Sequence, residues 1–246
     1  MERHDRTSVV ALFFGEPLAE GELRLGEAQT QHARVRRVEP GDALRLLDGR
    51  GRVADAKALT FDKKGLSVSV LRIVEIPKPT PLEVVVPVAD RDRMLVAAEK
   101  CVELQITAWR PAYFVRSRSV SPRGEGDKFH EKVRARMQSA LEQSGGAWMP
   151  DLHEEANALE VMKTVSVDWN RFLLDATGGS LTSLVQNVST SIAVGPEGGL
   201  ERRELEEAQQ LGWRVASIGE TTLRFETAII AGAAVVRAAQ LSLRRG

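Results

Sequence analysis

Ser191-Ile192-Ala193-Val194-Gly195-Pro196-Glu197-Gly198-Gly199-Leu200-Glu201 runs from a short apolar strand, through a loop with three glycines and a proline, into a helical pattern. Glycines around a proline let the backbone fold closely round a ligand without side-chain interference, so the placement predicts a binding loop at the end of a strand. The plain alternative is a tight strand-to-helix turn in which Glu201 only complements the helix dipole. Two familiar phosphate readings lack their mechanical parts, since the chain has neither a Gly-x-Gly-x-x-Gly fingerprint nor a Gly-Lys-Ser/Thr ending here.

The same strand–loop–helix grammar recurs downstream in Ala216-Ser217-Ile218-Gly219-Glu220-Thr221-Thr222-Leu223-Arg224-Phe225-Glu226-Thr227-Ala228. Thr221 or Thr222 is suited to cap the helix and Glu226 to its first turn. Arg224 is not: a cation beside a helix N-terminus opposes the dipole by roughly 0.3–1 kcal/mol. It meets an anion or a substrate, or else bends toward solvent or a nearby Glu.

Working outward, strand-like runs (Glu83 to Val88, Ile106 to Phe114, Phe172 to Leu174, Ser191 to Val194, Val215 to Ile218) alternate with helical patterns (Arg93 to Leu104, Lys128 to Gln143, Glu201 to Leu211, Phe225 to Leu243). Alternation of this kind predicts an α/β domain around a mostly parallel sheet. Pro77-Lys78-Pro79-Thr80-Pro81 fixes φ and removes donors repeatedly, which marks a boundary. Before it, the apolar runs Val9 to Phe14, Ala43 to Leu47, Val53 to Leu59 and Leu66 to Ile76, with turns at Gly49-Arg50-Gly51 and Lys63-Lys64-Gly65, read as a small β-barrel. The expected domains are therefore 1–76 and 77–246.

The 34 basic and 34 acidic side chains cancel, which excludes whole-protein attraction to nucleic acid and confines any RNA site to a local patch. Arg34, Arg36 and Arg37 offer such a patch, with guanidiniums able to reach phosphates bidentately; a solvated helix face flanked by Glu39 and Asp42 is the other reading. Arg116, Arg118, Arg123 and Lys128 flank a polar loop and extend the positive charge. Cys101, the single cysteine, sits in an apolar periodic stretch and reads as a packed thiol. His4, His32, His130 and His153 lie far apart without metal-ligand spacing, so no metal is expected. Without an N-terminal apolar region or a membrane-length apolar run, the expected location is cytoplasmic, with no membrane partner.

Gly195-Pro196-Glu197-Gly198-Gly199, followed about twenty residues later by Ile218-Gly219 with Leu223-Arg224 and Glu226-Thr227-Ala228, resembles the signature of the knotted SPOUT-class methyltransferases. It is most similar to the family that methylates N3 of a uridine in 16S ribosomal RNA. Glu99-Lys100-Cys101-Val102-Glu103-Leu104, Arg116-Ser117 and Glu142-Gln143-Ser144-Gly145 resemble that family's remaining catalytic-domain motifs in the same order, and Arg34 to Val38 with Pro40-Gly41-Asp42 and Leu47-Asp48-Gly49 resembles its PUA-like barrel. The resemblance implies an α/β fold: a C-terminal trefoil-knotted SPOUT domain preceded by a small PUA-like β-barrel that binds RNA.

It further implies that S-adenosylmethionine is held by the loops after Leu174, Val194 and Ile218. The expected cofactor residues are Leu174, Asp175, Val194, Gly195, Pro196, Glu197, Gly198, Gly199, Ile218, Gly219, Thr222, Leu223 and Arg224. The implied partners are 16S rRNA in the small ribosomal subunit and a second copy of the chain in a homodimer. Arg224, with Glu197 or Glu226 orienting it or moving a proton, is the catalytic candidate; Arg34, Arg36, Arg37, Arg116 and Gln143 are the RNA-binding ones.

The sequence departs from the family pattern at Gly146 and Thr221, where arginines are usual, at Gln105, where glycine is usual, and at Gln31, with the histidine one place on at His32. These departures keep open another knotted-class methyltransferase with a different target, or a non-catalytic RNA-binding or ribosome-assembly factor. A Rossmann-type methyltransferase would have to rely on Asp175-Ala176-Thr177-Gly178-Gly179, too late in the domain for a first βα turn.

Overall fold

The computed structural model describes residues 9–63, 65–119 and 122–242; His4, Lys64 of the expected turn, and the side chain of Arg118 lie outside that description. The chain divides into two compact units, one of residues 1–78 with 138–149 and one of residues 79–137 with 150–246.

In the first unit the order is β1 (Val10–Phe13), β2 (Gly21–Arg24), α1 (Glu27–Val35), β3 (Ala43–Leu47), β4 (Arg52–Asp62) and β5 (Gly65–Glu75). They form a five-stranded sheet in the order β1-β3-β4-β5-β2, antiparallel except for the parallel β1–β3 pair. Period-two patterning accounts for its core: Leu44 and Leu46, Ala54, Ala56 and Ala58, and Leu66, Val68 and Val70 all turn to one buried cluster, closed by Ala33 of α1. β2 was not expected from the sequence, and α1 only as a helix face at its arginine end; both runs are short and polar, and tertiary packing of Leu23, Leu25 and Ala33 holds them.

Residues 138–149, inside the 77–246 half of the linear reading, pack with this first unit. The Gly51 amide donates to the Ala147 carbonyl at 2.9 Å, the Met149 amide to Gly49 at 2.8 Å, and Trp148 Nε1 to Ile76 at 2.8 Å.

The second unit contains β6 (Leu82–Pro87), α2 (Arg91–Glu103), β7 (Ala108–Tyr113), a 3₁₀ turn (Val115–Ser119), the first part of α3 (Asp127–Ser144), β8 (Asp151–Leu152), β9 (Ala156–Asn157), α4 (Ala158–Lys163), β10 (Asn170–Ser180), α5 (Leu181–Leu184), β11 (Thr190–Val194), α6 (Arg202–Gln210), β12 (Arg214–Ser217) and α7 (Phe225–Ser242). Among the described residues the sheet is wholly parallel, ordered β12-β10-β11-β6-β7-β8, with β9 also beside β7.

Burial on both faces explains the unbroken apolar run Val84-Val85-Val86 in β6, fully buried throughout. One face, through Val85, Leu173 and Ala193, meets Met162 of α4 and Trp213 just after α6. On the other, α7 packs against β6, β11 and α2. Gly232 is what lets α7 lie down there: a Cβ on it would stand 2.7 Å from the Leu174 side chain. Cys101 of α2 is fully buried, and burial pushes its thiol pKa up, so it is a packed apolar group and no nucleophile.

Candidate active site

Parallel register sets the site. Leu174 at the end of the regular part of β10 is opposite both Val194 of β11 and Ala216 of β12, so the loops after these three strands leave the sheet at one level. Ligands of open α/β sheets gather outside such carboxyl ends. Here the loops enclose a cavity of about 340 Å³, within the size range of small-molecule sites.

Each loop reaches it by a local device. After β10, Asp175 Oδ1 accepts from the Thr177 amide at 2.9 Å and the Thr177 hydroxyl at 2.6 Å, which folds Asp175 to Gly178 into a bulge. After β11, a Cβ on Gly195 would come within 2.9 Å of Leu200 Cγ, and Gly199 has φ +72°, so both glycines are required by the turn. After β12, the Ser217 hydroxyl donates to the Gly219 carbonyl at 2.6 Å and accepts its amide at 3.2 Å.

Of the expected cofactor residues, the cavity is lined by Leu174 and Asp175; by Val194, Gly195, Pro196, Glu197 and Gly199; and by Ile218, Gly219, Thr222, Leu223 and Arg224. Gly198 is not among the lining residues. Its carbonyl accepts from Arg116 Nη1 at 2.7 Å, and Arg116 Nε lies 3.9 Å from Glu201, so Arg116 braces the back of the loop. The loop is also tied through Glu204, the third residue of α6, whose carboxylate accepts the Glu201 amide at 3.0 Å and the Val115 amide at 2.8 Å.

The expected cap of α7 is corrected. The Arg224 carbonyl accepts the Ala228 amide at 2.9 Å and the helix starts at Phe225, so the capping position falls on Arg224, with Thr221 and Thr222 upstream on the cavity wall. Arg224 thus stands at a helix N-terminus with its side chain exposed beside the cavity. Glu226, in the first turn of α7, is not a lining residue, yet its Oε2 is buried without a hydrogen-bond partner among the described residues.

Arg93, which the sequence places only at the head of a helical pattern, also lines the cavity. Its Nη1 lies 3.8 Å from Glu197 Oε1. The signal was the one already used for Arg224: a cation in the first turn of a helix capped by Asp90 is locally misplaced. The Glu99-Lys100 motif, by contrast, closes on itself, Lys100 pairing with Glu99 at 2.9 Å and Glu103 at 2.8 Å.

The remaining RNA candidates belong to the first unit. Arg34 lies in the last turn of α1, Arg36 is its C-cap and Arg37 follows with φ +55°; Gln143 is exposed near the end of α3. Among the described residues no group of His, Cys, Asp or Glu is arranged to hold a metal ion, and no helix is long and apolar enough to cross a membrane.

Comparisons with known proteins agree with this architecture. An RNA methyltransferase domain family matches residues 76–237, and an RNA methyltransferase PUA domain family matches residues 25–71. The chain is similar to the ribosomal RNA small subunit methyltransferase E of Mycobacterium tuberculosis, 28% identical over 220 residues that cover 82% of this chain and 80% of the relative. In fold it is similar to the Neisseria gonorrhoeae ribosomal RNA small subunit methyltransferase E crystallised with S-adenosyl methionine, with TM-score 0.85, 23% identity and coverage of 94% and 98%. A probable rRNA-methyltransferase from Porphyromonas gingivalis gives TM-score 0.80, 26% identity and coverage of 96% and 100%. The expected fold class, a PUA-like domain followed by an α/β SPOUT methyltransferase domain, is the one found. With two thirds of its length matched by the catalytic-domain family and the glycine loops of that domain closing one cavity, the chain belongs to the RNA methyltransferase family.

Proposed function

We propose that this protein methylates N3 of a uridine in 16S ribosomal RNA of the small ribosomal subunit, with S-adenosylmethionine as methyl donor. The observation that carries the reading is the convergence of three strand-end loops on one cavity with Arg224 at its wall. The relatives named ribosomal RNA small subunit methyltransferase E, and the bound S-adenosyl methionine of the Neisseria protein, support the substrate and the donor.

The cavity suits that donor. Leu174, Val194, Ile218 and Leu223 offer apolar walls for a planar base, the glycine backbones of 195, 199 and 219 offer close approach and peptide hydrogen bonds, and Asp175 and Glu197 offer acceptors for hydroxyl or ammonium groups. When bound there, S-adenosylmethionine supplies an electrophilic methyl group. The protein's share is then positioning of the nucleophile and removal of the proton that uracil N3 carries. Arg224 stabilises the negative charge that develops on the uracil as this proton leaves, while Glu197 or Glu226 orients Arg224 or moves the proton. Arg116 acts from behind the loop, and Arg34, Arg36, Arg37 and Gln143 hold RNA phosphates or bases.

The reading includes a homodimer, a cytoplasmic location and the trefoil knot that the family resemblance implies. The test is tritiated methyl transfer from S-adenosylmethionine to 30S subunits lacking their N3-methyluridine, followed by mass spectrometry of digested 16S RNA. Label as N3-methyluridine at one site is expected. Label on another nucleotide, or cofactor binding with no transfer, overturns the proposed target.

A further inference from the structure

Away from the cavity, three residues distant in sequence form a chain of hydrogen bonds in the first unit. Glu142, near the end of α3, uses both carboxylate oxygens: Oε1 accepts the Phe13 amide at 2.7 Å and Oε2 lies 2.9 Å from His32 Nδ1. On the other side of the ring, Arg36 Nε donates to His32 Nε2 at 3.3 Å. A ring nitrogen that accepts from a guanidinium carries no proton, so His32 is the neutral tautomer with its hydrogen on Nδ1, directed at Glu142. The carboxylate side chain is only 13% exposed and the imidazole 26%, so the link is shielded from water.

The backbone beside it is fixed as well. The Val38 amide donates to Ala33 at 3.0 Å and the Arg37 amide to Arg34 at 2.9 Å, a closed helix end that leaves Arg34, Arg36 and Arg37 on one exposed turn.

We propose that Glu142 is a positioning residue for RNA binding, which sets the tautomer of His32 and through it the orientation of the Arg36 guanidinium. The inference rests on the proposed RNA substrate. An arginine held by one of its donors keeps the remaining N–H groups aimed outward at a phosphate, and less side-chain freedom is then lost on binding. Neither Glu142 nor His32 touches the RNA.

Polarity gives a sharp test on the full-length protein. In Glu142→Gln the amide oxygen still serves the Phe13 amide, but the amide NH₂ faces His32 Nδ1, driving the hydrogen to Nε2 and against the Arg36 donor. Equilibrium binding to 30S subunits lacking the methyl mark should weaken about threefold to tenfold in Glu142→Gln and in Arg36→Ala, as loss of one hydrogen bond requires. The double variant should be no weaker than Arg36→Ala alone. S-adenosylmethionine affinity by calorimetry and kcat at saturating subunits should not change, while KM for subunits rises.

His32→Gln can donate to Glu142 and accept from Arg36, and should stay within about twofold of the natural protein, whereas His32→Leu should match Glu142→Gln. Additive losses in the double variant, or His32→Gln as weak as His32→Leu, overturn the proposal. If Glu142→Gln does not fold, the two His32 variants decide. If the unaltered protein fails to bind subunits, the substrate reading falls; if it binds and Arg36→Ala binds equally well, only the positioning role falls.

Discussion

Gly178 of β10 is pressed so closely against Ala216 of β12 that a Cβ on it would stand 2.5 Å from the Ala216 nitrogen. Leu174 and Gly179 both pair with Ala216, so the residues between them are extruded as the bulge that carries Asp175 into the cavity. The neighbour here is backbone and cannot turn aside. Gly178→Ala should therefore cost roughly 1–3 kcal/mol by overpacking, seen as a fall in Tm of about 3–10 °C for a chain of this size. Because the strain lands on the bulge, calorimetry should also show weakened S-adenosylmethionine binding. An unchanged Tm would mean that β10 and β12 separate more easily than this packing allows.

Tyr113, at the end of β7, donates from its hydroxyl to Glu125 Oε2 at 3.0 Å. Burial, then the hydrogen bond and charge of Glu125, push its pKa up to about 12 from an ordinary value of 10.0. Between those two values the folded chain holds a proton that the unfolded chain has released, so the contribution is complete below pH 10 and is lost as pH rises toward 12. Chemical denaturation of the natural protein and of Tyr113→Phe should give a stability difference that is constant up to about pH 9.5 and narrows above it. A difference that holds level to pH 12 would mean that folding does not raise the Tyr113 pKa.

The fold was legible where pattern and period agree. The apolar runs that became β6, β7, β10 and β11 carry their own assignment, and so does α2, whose buried Met94, Ala97, Ala98, Cys101 and Val102 recur at three- and four-residue spacing. The glycine loops were legible too, because Gly195 and Gly199 are demanded by local geometry. Three features were not. The return of Gln138 to Met149 to the first unit depends on long-range pairs such as Phe13 with Glu142, which leave no periodic trace. The helical pattern from Phe225 was legible, but its capping position on Arg224 was masked by two threonines that looked like better caps than an arginine. Arg93 passed as the first residue of a helical pattern, although its place in the first turn carried the same misfit that singled out Arg224.

Arg37 occupies the residue after the C-cap of α1 with φ +55°, a left-handed position that glycine fills at no steric cost. An L-residue there is strained by roughly 1 kcal/mol, and such strain is retained where the side chain serves a purpose. Arg37→Gly relieves that strain, against which stand the contacts of the Arg37 side chain and the greater freedom of glycine in the unfolded chain, so stability should change by less than about 1 kcal/mol. Binding to 30S subunits should weaken severalfold, and more at low than at high salt, as for a lost phosphate contact. A larger fall in stability alongside the loss of binding would instead assign Arg37 a structural role.

Arg93 and Glu197 face each other across the cavity wall at 3.8 Å, beyond hydrogen-bond distance, with 35% and 25% of their side chains exposed. A surface ion pair of that kind contributes little to stability, and Arg93 also opposes the dipole of α2. Removing it should leave Tm unchanged or slightly raised. If Glu197 orients Arg224 or takes the uracil proton, however, loss of Arg93 frees the carboxylate to turn away, and a positioned charge in a catalytic site is worth far more than one at the surface. Arg93→Ala should then lower kcat about tenfold to a hundredfold. Arg93→Lys should recover part of that loss, because the charge survives but the planar fork does not. S-adenosylmethionine affinity separates this from a binding defect: a loss of affinity matching the loss of rate would place Arg93 on the cofactor, whereas intact affinity with slow turnover puts it behind Glu197.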